Sequence, residues 1–210
     1  MKSLTRRSLI SAGAASVLLL PRLADAAART LTPPATEGPF YPDRLPLDTD
    51  NDLLRIGPGG KQATGQIFHL TGRVFDKAGL ALPGFSIEIW QCDANGVYRH
   101  TGDTRRDASD PYFQGFGRTA TDRTGRYRFR TITPVSYPGR TPHIHFKVRA
   151  ANRREFTSQL YIAGHPQNES DFLYRRLGSP GAKKAASVDL TSAPELDQNA
   201  VKGTFDIVLD

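Results

Sequence analysis

The stretch Phe85-Ser86-Ile87-Glu88-Ile89-Trp90-Gln91 alternates apolar Phe85, Ile87 and Ile89 against polar Ser86 and Glu88. Successive side chains of an extended chain point to opposite faces, so a period of two predicts a β-strand with one face buried and the other turned to solvent. The pattern continues on both sides. Upstream, residues 67–75 form a candidate strand closed by the turn Asp76-Lys77-Ala78-Gly79. Downstream, Asp93-Ala94-Asn95-Gly96 is a turn, residues 117–121 a strand, and Asp122-Arg123-Thr124-Gly125 a hairpin turn. Tyr127 and Phe129 then alternate with Arg126, Arg128 and Arg130, and further strands are expected at 142–150, 159–163 and 204–209. Only residues 169–177 and 181–186 offer short helices. The predicted fold is all-β, an antiparallel β-sandwich with long loops, few short helices and an extended N-terminal arm.

The 210 residues suit one globular domain. With 19 Gly and 15 Pro, turns and short strands are favoured over a helical bundle. The chain has 28 Lys and Arg against 21 Asp and Glu, a net charge of +7. Lys2, Arg6, Arg7 and Arg22 fall in the first 26 residues with one Asp, which leaves 24 basic and 20 acidic side chains beyond them. No basic run interleaved with aromatics follows, so nucleic acid is not an expected partner, while an anionic small molecule is compatible with the balance. The single cysteine, Cys92, excludes an internal disulfide framework and a Cys-rich zinc site.

Residues 1–26 read as an export signal: a basic start, an apolar stretch over 9–20, and Leu23-Ala24-Asp25-Ala26, whose small residues suit cleavage near Ala26. Thr5-Arg6-Arg7-Ser8-Leu9-Ile10 resembles the twin-arginine signal, which carries folded proteins, so a periplasmic destination is expected. The apolar stretch is shorter than the ~20 residues of a membrane span, and Pro21 and Arg22 close it, so no mature membrane anchor is expected. Residues 27–66 are rich in Pro, Gly and Asp without any period, and hold Phe40 and Tyr41. They read as an arm that covers something, ahead of a sandwich domain at 67–210.

The chemistry concentrates in Tyr137-Pro138-Gly139-Arg140-Thr141-Pro142-His143-Ile144-His145-Phe146. On a strand, His143 and His145 share a face and Ile144 and Phe146 take the other. Such a pair is either a metal clamp or two imidazoles on a solvated face. Tyr137 lies at the bend before this strand, and Tyr98 lies just after the Asn95-Gly96 turn, places where a phenol can point into a site. A phenol with an ordinary pKa near ~10 ionises at neutral pH only beside a strong Lewis acid. Phenolate is a hard anionic donor, so two of them with two imidazoles favour Fe(III) over Zn(II). Trp90 reads as core, Cys92 as a small buried residue, and His69, His100 and His165 as structural or exposed.

In these blocks the chain resembles the intradiol ring-cleavage dioxygenases, especially protocatechuate 3,4-dioxygenase subunits. Thr36-Glu37-Gly38-Pro39-Phe40-Tyr41 resembles the N-terminal arm of that family, and Gly72-Arg73-Val74-Phe75-Asp76 with Glu88-Ile89-Trp90-Gln91 through Tyr98 its first sheet and first ligand loop. Residues 117–130, Tyr137, Arg140 and His143-Ile144-His145-Phe146 are similar to its second, and Gln159-Leu160-Tyr161 and Phe205-Asp206-Ile207-Val208-Leu209 to its closing strands. The resemblance implies one non-haem Fe(III) held by Tyr98, Tyr137, His143 and His145, with Arg140 and Gln159 near the substrate. The bland readings are a surface cation for Arg140 and a strand-edge amide for Gln159.

The activity implied is cleavage of a catechol-type ring between its two hydroxyls with O2, giving a cis,cis-muconate-type diacid, with a protocatechuate-like substrate favoured. Tyr137 would accept a substrate proton and Arg140 would stabilise the anionic ring. The arm is compatible with a homo-oligomer or a paired subunit. Two other readings stay open. One is a non-catalytic transthyretin-like or carboxypeptidase-regulatory-like binding module, which needs no Tyr/Tyr/His/His set. The other is a zinc or copper enzyme built on His143 and His145.

Overall fold

The computed structural model describes residues 29–46, 48–57 and 59–210. The expected export signal, residues 1–26, lies outside the described residues. The alternation read from sequence becomes ten strands: β1 (Ile67–Asp76), β2 (Ser86–Trp90), β3 (Phe116–Ala120), β4 (Arg126–Ile132), β5 (His143–Arg149), β6 (Phe156–Ile162), β7 (Ser187–Val188), β8 (Thr191–Ser192), β9 (Val201–Thr204) and β10 (Ile207–Leu209). Two short helices, α1 (Phe172–Arg176) and α2 (Pro180–Ala185), follow β6. Asp171 caps α1 and Ser179 caps α2, with Pro180 at the first turn. No described helix is long and apolar enough to cross a membrane.

One sheet carries β1 at its centre, paired with β4 on one side and with β9 and β10 on the other, with β8 outside β9. The second sheet has the order β3-β2-β5-β6-β7. The sheets bury Leu70, Ile87, Ile89, Phe129, Ile144, Phe146, Leu160 and Ile207 between them. The sandwich is therefore the expected one, and its long pairings are antiparallel. The pairings of β9 and β10 with β1, and of β7 with β6, are parallel, so both sheets are mixed.

Two expectations need correction. Residues 204–209 are not one strand, because the chain breaks at Phe205-Asp206 between β9 and β10. There the Asp206 carboxylate accepts from the Arg73 N–H (3.0 Å) where a strand carbonyl would otherwise do so, and the Tyr127 hydroxyl donates to the Phe205 carbonyl (2.6 Å). That carbonyl passes so close over β1 that a Cβ at Gly72 would lie 1.8 Å from it. Glu88, read as solvent-facing, is 1% exposed. The outer face of the second sheet is covered by the extended segment before β1, and alternation within one strand cannot report a cover supplied from elsewhere.

That segment follows the edge of the sandwich without forming a strand. The N–H of Thr32 bonds the carbonyl of Val208 (3.0 Å), and that of Ala35 the carbonyl of Thr157 (3.0 Å). It then crosses the outer face of β2 and β5, where Tyr41 and Phe40 come to rest against the candidate site.

Candidate metal centre

Strand register assembles the floor of the site. His145 on β5 stands opposite Trp90 of β2 on one side and Gln159 of β6 on the other, while His143 stands opposite Tyr161. Trp90 stacks on the His145 ring, centroids 5.0 Å apart and planes 10° apart. It is core, as expected, and also one wall of the site. The two tyrosines come from loops. Asp93 accepts from the N–H groups of Asn95 (2.9 Å) and Val97 (3.0 Å), and Asp103 from the N–H of Tyr98 (2.9 Å), which fixes where the Tyr98 ring enters. Tyr137 and Arg140 close a tight bend, Arg140 N–H to Tyr137 carbonyl 2.9 Å.

The four residues converge. Tyr98 and Tyr137 have ring centroids 5.5 Å apart, Tyr137 and His143 5.4 Å, and Tyr98 and His145 6.3 Å. The two imidazole Nε2 atoms face each other at 3.2 Å. The His143 Nδ1 lies 2.6 Å from the Thr141 carbonyl, which can only accept, so Nδ1 carries the proton and Nε2 presents a bare lone pair. Burial, helped by the nearby Arg140 charge, pushes the His143 pKa down to about 3 and that of His145 well below its ordinary value. Both rings are therefore neutral donors at neutral pH.

Arg140 is aimed by three partners. Its Nε donates to Asp171 (2.8 Å), one Nη to Gln159 Oε1 (2.6 Å) and the other to the Tyr137 hydroxyl (3.3 Å). Gln159 Oε1 also accepts from Tyr161 (2.8 Å). Asp171, 1% exposed, takes the Thr141 N–H on the oxygen that faces Arg140 and caps α1 with the other. It was not a sequence candidate; its only local signal is a helix-capping position. An open hollow of about 530 Å³ lies against Tyr137, Arg140 and Asp171.

The donor set fits a ferric ion. Tyr98 Oη is buried without a hydrogen-bond partner, and an orphaned buried phenol is costly unless something satisfies it. Desolvation raises both phenol pKa values, partly offset at Tyr137 by Arg140, so both stay neutral without a further cation. Among the described residues no group of three His, Cys, Asp or Glu could hold a metal, and the side chains that converge on the two imidazoles are the phenols of Tyr98 and Tyr137. Cys92 takes no part. Its buried thiol, raised to about 12 by desolvation, points to the Val135 carbonyl (3.7 Å). His69 pairs with Asp197 (2.9 Å), His100 sits edge-on to Phe40, and His165 lies 3.4 Å from Thr141 Oγ1, so none joins the cluster.

Comparison with known proteins places the chain in a family. A family model described as dioxygenase matches residues 36–210. The protocatechuate 3,4-dioxygenase beta chain of Burkholderia cepacia is 34% identical over 76% of this chain and 71% of its own. The catechol 1,2-dioxygenase of Acinetobacter baylyi is 29% identical over 83% of this chain, which spans 59% of that relative. Among solved structures, the dioxygenase domain of a dioxygenase carbohydrate-binding fusion from Streptomyces sp. SirexAA-E superposes with a TM-score of 0.67 at 32% identity, over 86% of this chain and 99% of that one. With a family match across the whole sandwich and relatives named protocatechuate 3,4-dioxygenase and catechol 1,2-dioxygenase, the chain belongs to the intradiol ring-cleavage dioxygenases.

Proposed function

We propose that the protein is a non-haem Fe(III) enzyme that opens a catechol-type ring between its two hydroxyls, with a protocatechuate-like compound as the favoured substrate. The observation that carries this reading is the convergence of Tyr98, Tyr137, His143 and His145 around an orphaned phenol and a bare imidazole lone pair. Bound there, Fe(III) would supply the positive charge that lets both phenols and a catechol ionise together. Both atoms of O2 enter the product, so catechol plus O2 gives a diacid with no further reductant.

The residues divide the remaining work. Tyr98 is deeply buried and suits a permanent ligand, whereas Tyr137 is only partly buried, borders the open hollow and shares its hydroxyl with Arg140. Tyr137 is placed to accept a proton from an incoming hydroxyl. Arg140, locked by Asp171 and Gln159, offers a fixed positive charge where the ring becomes anionic. Phe40, stacked on Tyr98 at 4.5 Å, and Trp90, stacked on His145, exclude water from the ligands.

The test is a visible spectrum of the purified mature protein before and after anaerobic addition of protocatechuate, with an iron assay on the same sample. A broad phenolate-to-iron band that moves to longer wavelength with substrate is expected. A protein that stays colourless after iron reconstitution refutes the assignment.

A further inference from the structure

Glu88 and Lys147 stand directly opposite each other on β2 and β5, yet they are not paired with each other. Both are buried, at 1% and 4% exposure. Each is also bonded by the segment that crosses above them: Lys147 Nζ pairs with Glu37 and lies 4.0 Å over the Tyr41 ring, and Glu88, which meets Arg118 at 4.0 Å on the sheet, accepts the Tyr41 hydroxyl at 2.9 Å. Lys147 also approaches Glu155 (3.8 Å), Glu155 pairs with Arg149 (2.9 Å), and Arg149 with Glu88 (3.3 Å). The network thus begins on Glu37 and returns to Tyr41. Between those two residues lie Gly38 and Phe40, the parts of the segment that touch the candidate ligands. Gly38 has φ +76°, and a Cβ there would meet His145 Cε1 at 3.2 Å. Phe40 stacks on Tyr98.

We propose that Glu88 and Lys147 are positioning residues that latch residues 37–41 over the site, pressing Gly38 on His145 and Phe40 on Tyr98. None of the latch residues lies within hydrogen-bond reach of the four converging side chains, so their effect passes through the segment. Opening the segment would strip buried Lys147 of its ion pair to Glu37 and buried Glu88 of the Tyr41 hydroxyl, and a buried charge that loses a partner is strongly destabilised. The sheet therefore favours the closed segment, and two points of attachment on either side of Gly38-Pro39-Phe40 fix its height and its rotation. The claim that closure tunes the metal rests on the reading of the site given above, whereas the latch itself does not.

The single tryptophan of the chain supplies a local reporter, since Trp90 lies under the Tyr41 edge (5.0 Å) and on His145. The experiment compares full-length mature wild type with Tyr41→Phe, Lys147→Gln and Lys147→Arg. Metal-free samples are read by amide hydrogen exchange over 36–41 and by Trp90 emission, and iron-loaded samples by the phenolate band, kcat and KM. Tyr41→Phe and Lys147→Gln are expected to speed exchange of the segment about tenfold or more and to shift Trp90 emission to longer wavelength without unfolding the sandwich. Loaded with iron, both should move the band and lower kcat, and Lys147→Arg should restore part of each. Unchanged exchange and emission would overturn the latch. Faster exchange with an unmoved band and unchanged kcat and KM would overturn the positioning role. A wild type that takes up no iron would refute the functional reading and leave the metal-free readouts to decide the latch.

Discussion

Replacing Asp171 with Asn tests how the site holds its arginine. The two side chains have nearly the same shape, and Asn can keep its carbonyl oxygen on the α1 N–H groups of Leu173 (2.8 Å) and Tyr174 (3.0 Å). Its amide nitrogen then faces two donors, Arg140 Nε–H and Thr141 N–H. Two bonds to a charged acceptor are lost, each worth about 1.5–3 kcal/mol. The pair is almost dry, with side chains 10% and 0% exposed, so little of this is screened, and loss of one partner from such a pair costs about 3–5 kcal/mol. For a chain of this length each kcal/mol lowers Tm by about 2–4 °C, which gives a loss of about 6–20 °C. Burial opposes ionisation of Asp171, but the N–H groups of Tyr174 and Thr141 and the Arg140 guanidinium hold its carboxyl below the ordinary 3.8. A depressed carboxylate pKa stabilises fully above 3.8 and loses its contribution as pH falls through the lower folded value. The Tm gap between wild type and variant should therefore be full at neutral pH and close as the solution is acidified below 3.8. Thermal unfolding of the metal-free proteins followed by circular dichroism at a series of pH values measures both. A loss under about 3 °C at neutral pH, or a gap that persists undiminished in acid, would refute the reasoning.

Four other outcomes are expected. His143→Ala should abolish iron loading, since it removes the imidazole whose tautomer Thr141 fixes, and Tyr137→Phe should retain iron but slow substrate binding; full iron occupancy in His143→Ala by metal analysis removes that residue from the site. Gly72→Ala should cost about 3 kcal/mol or more, because the new Cβ would meet the Phe205 carbonyl that Tyr127 anchors; a denaturation midpoint equal to wild type would contradict the close approach of Phe205 to β1. Replacing both Arg6 and Arg7 with Lys should stop export, measured by fractionation, and a normally exported double variant would sink the twin-arginine proposal.

The candidate ligands were legible because they are local. His143 and His145 announce a shared face by their spacing, and Tyr98 and Tyr137 by their position at turns, and the fold brings all four together. The strands were legible wherever one face meets the opposite sheet, as in Phe85, Ile87 and Ile89. Residues whose partners come from distant parts of the chain were not. Asp171 gives no sign from its neighbours that it faces Arg140, and Glu88 carries the polar half of an alternating strand while lying under Tyr41.

From sequence alone came the all-β class, the two-histidine strand and the choice of oxygen and nitrogen donors, because period, turn chemistry and donor hardness are properties of short segments. Only the tertiary structure decided which side chains hold those donors in place. Glu37 and Tyr41 meet Lys147 and Glu88, and Asp171 meets Arg140, across separations that no local pattern encodes, since a buried charge must find its partner wherever the fold delivers one.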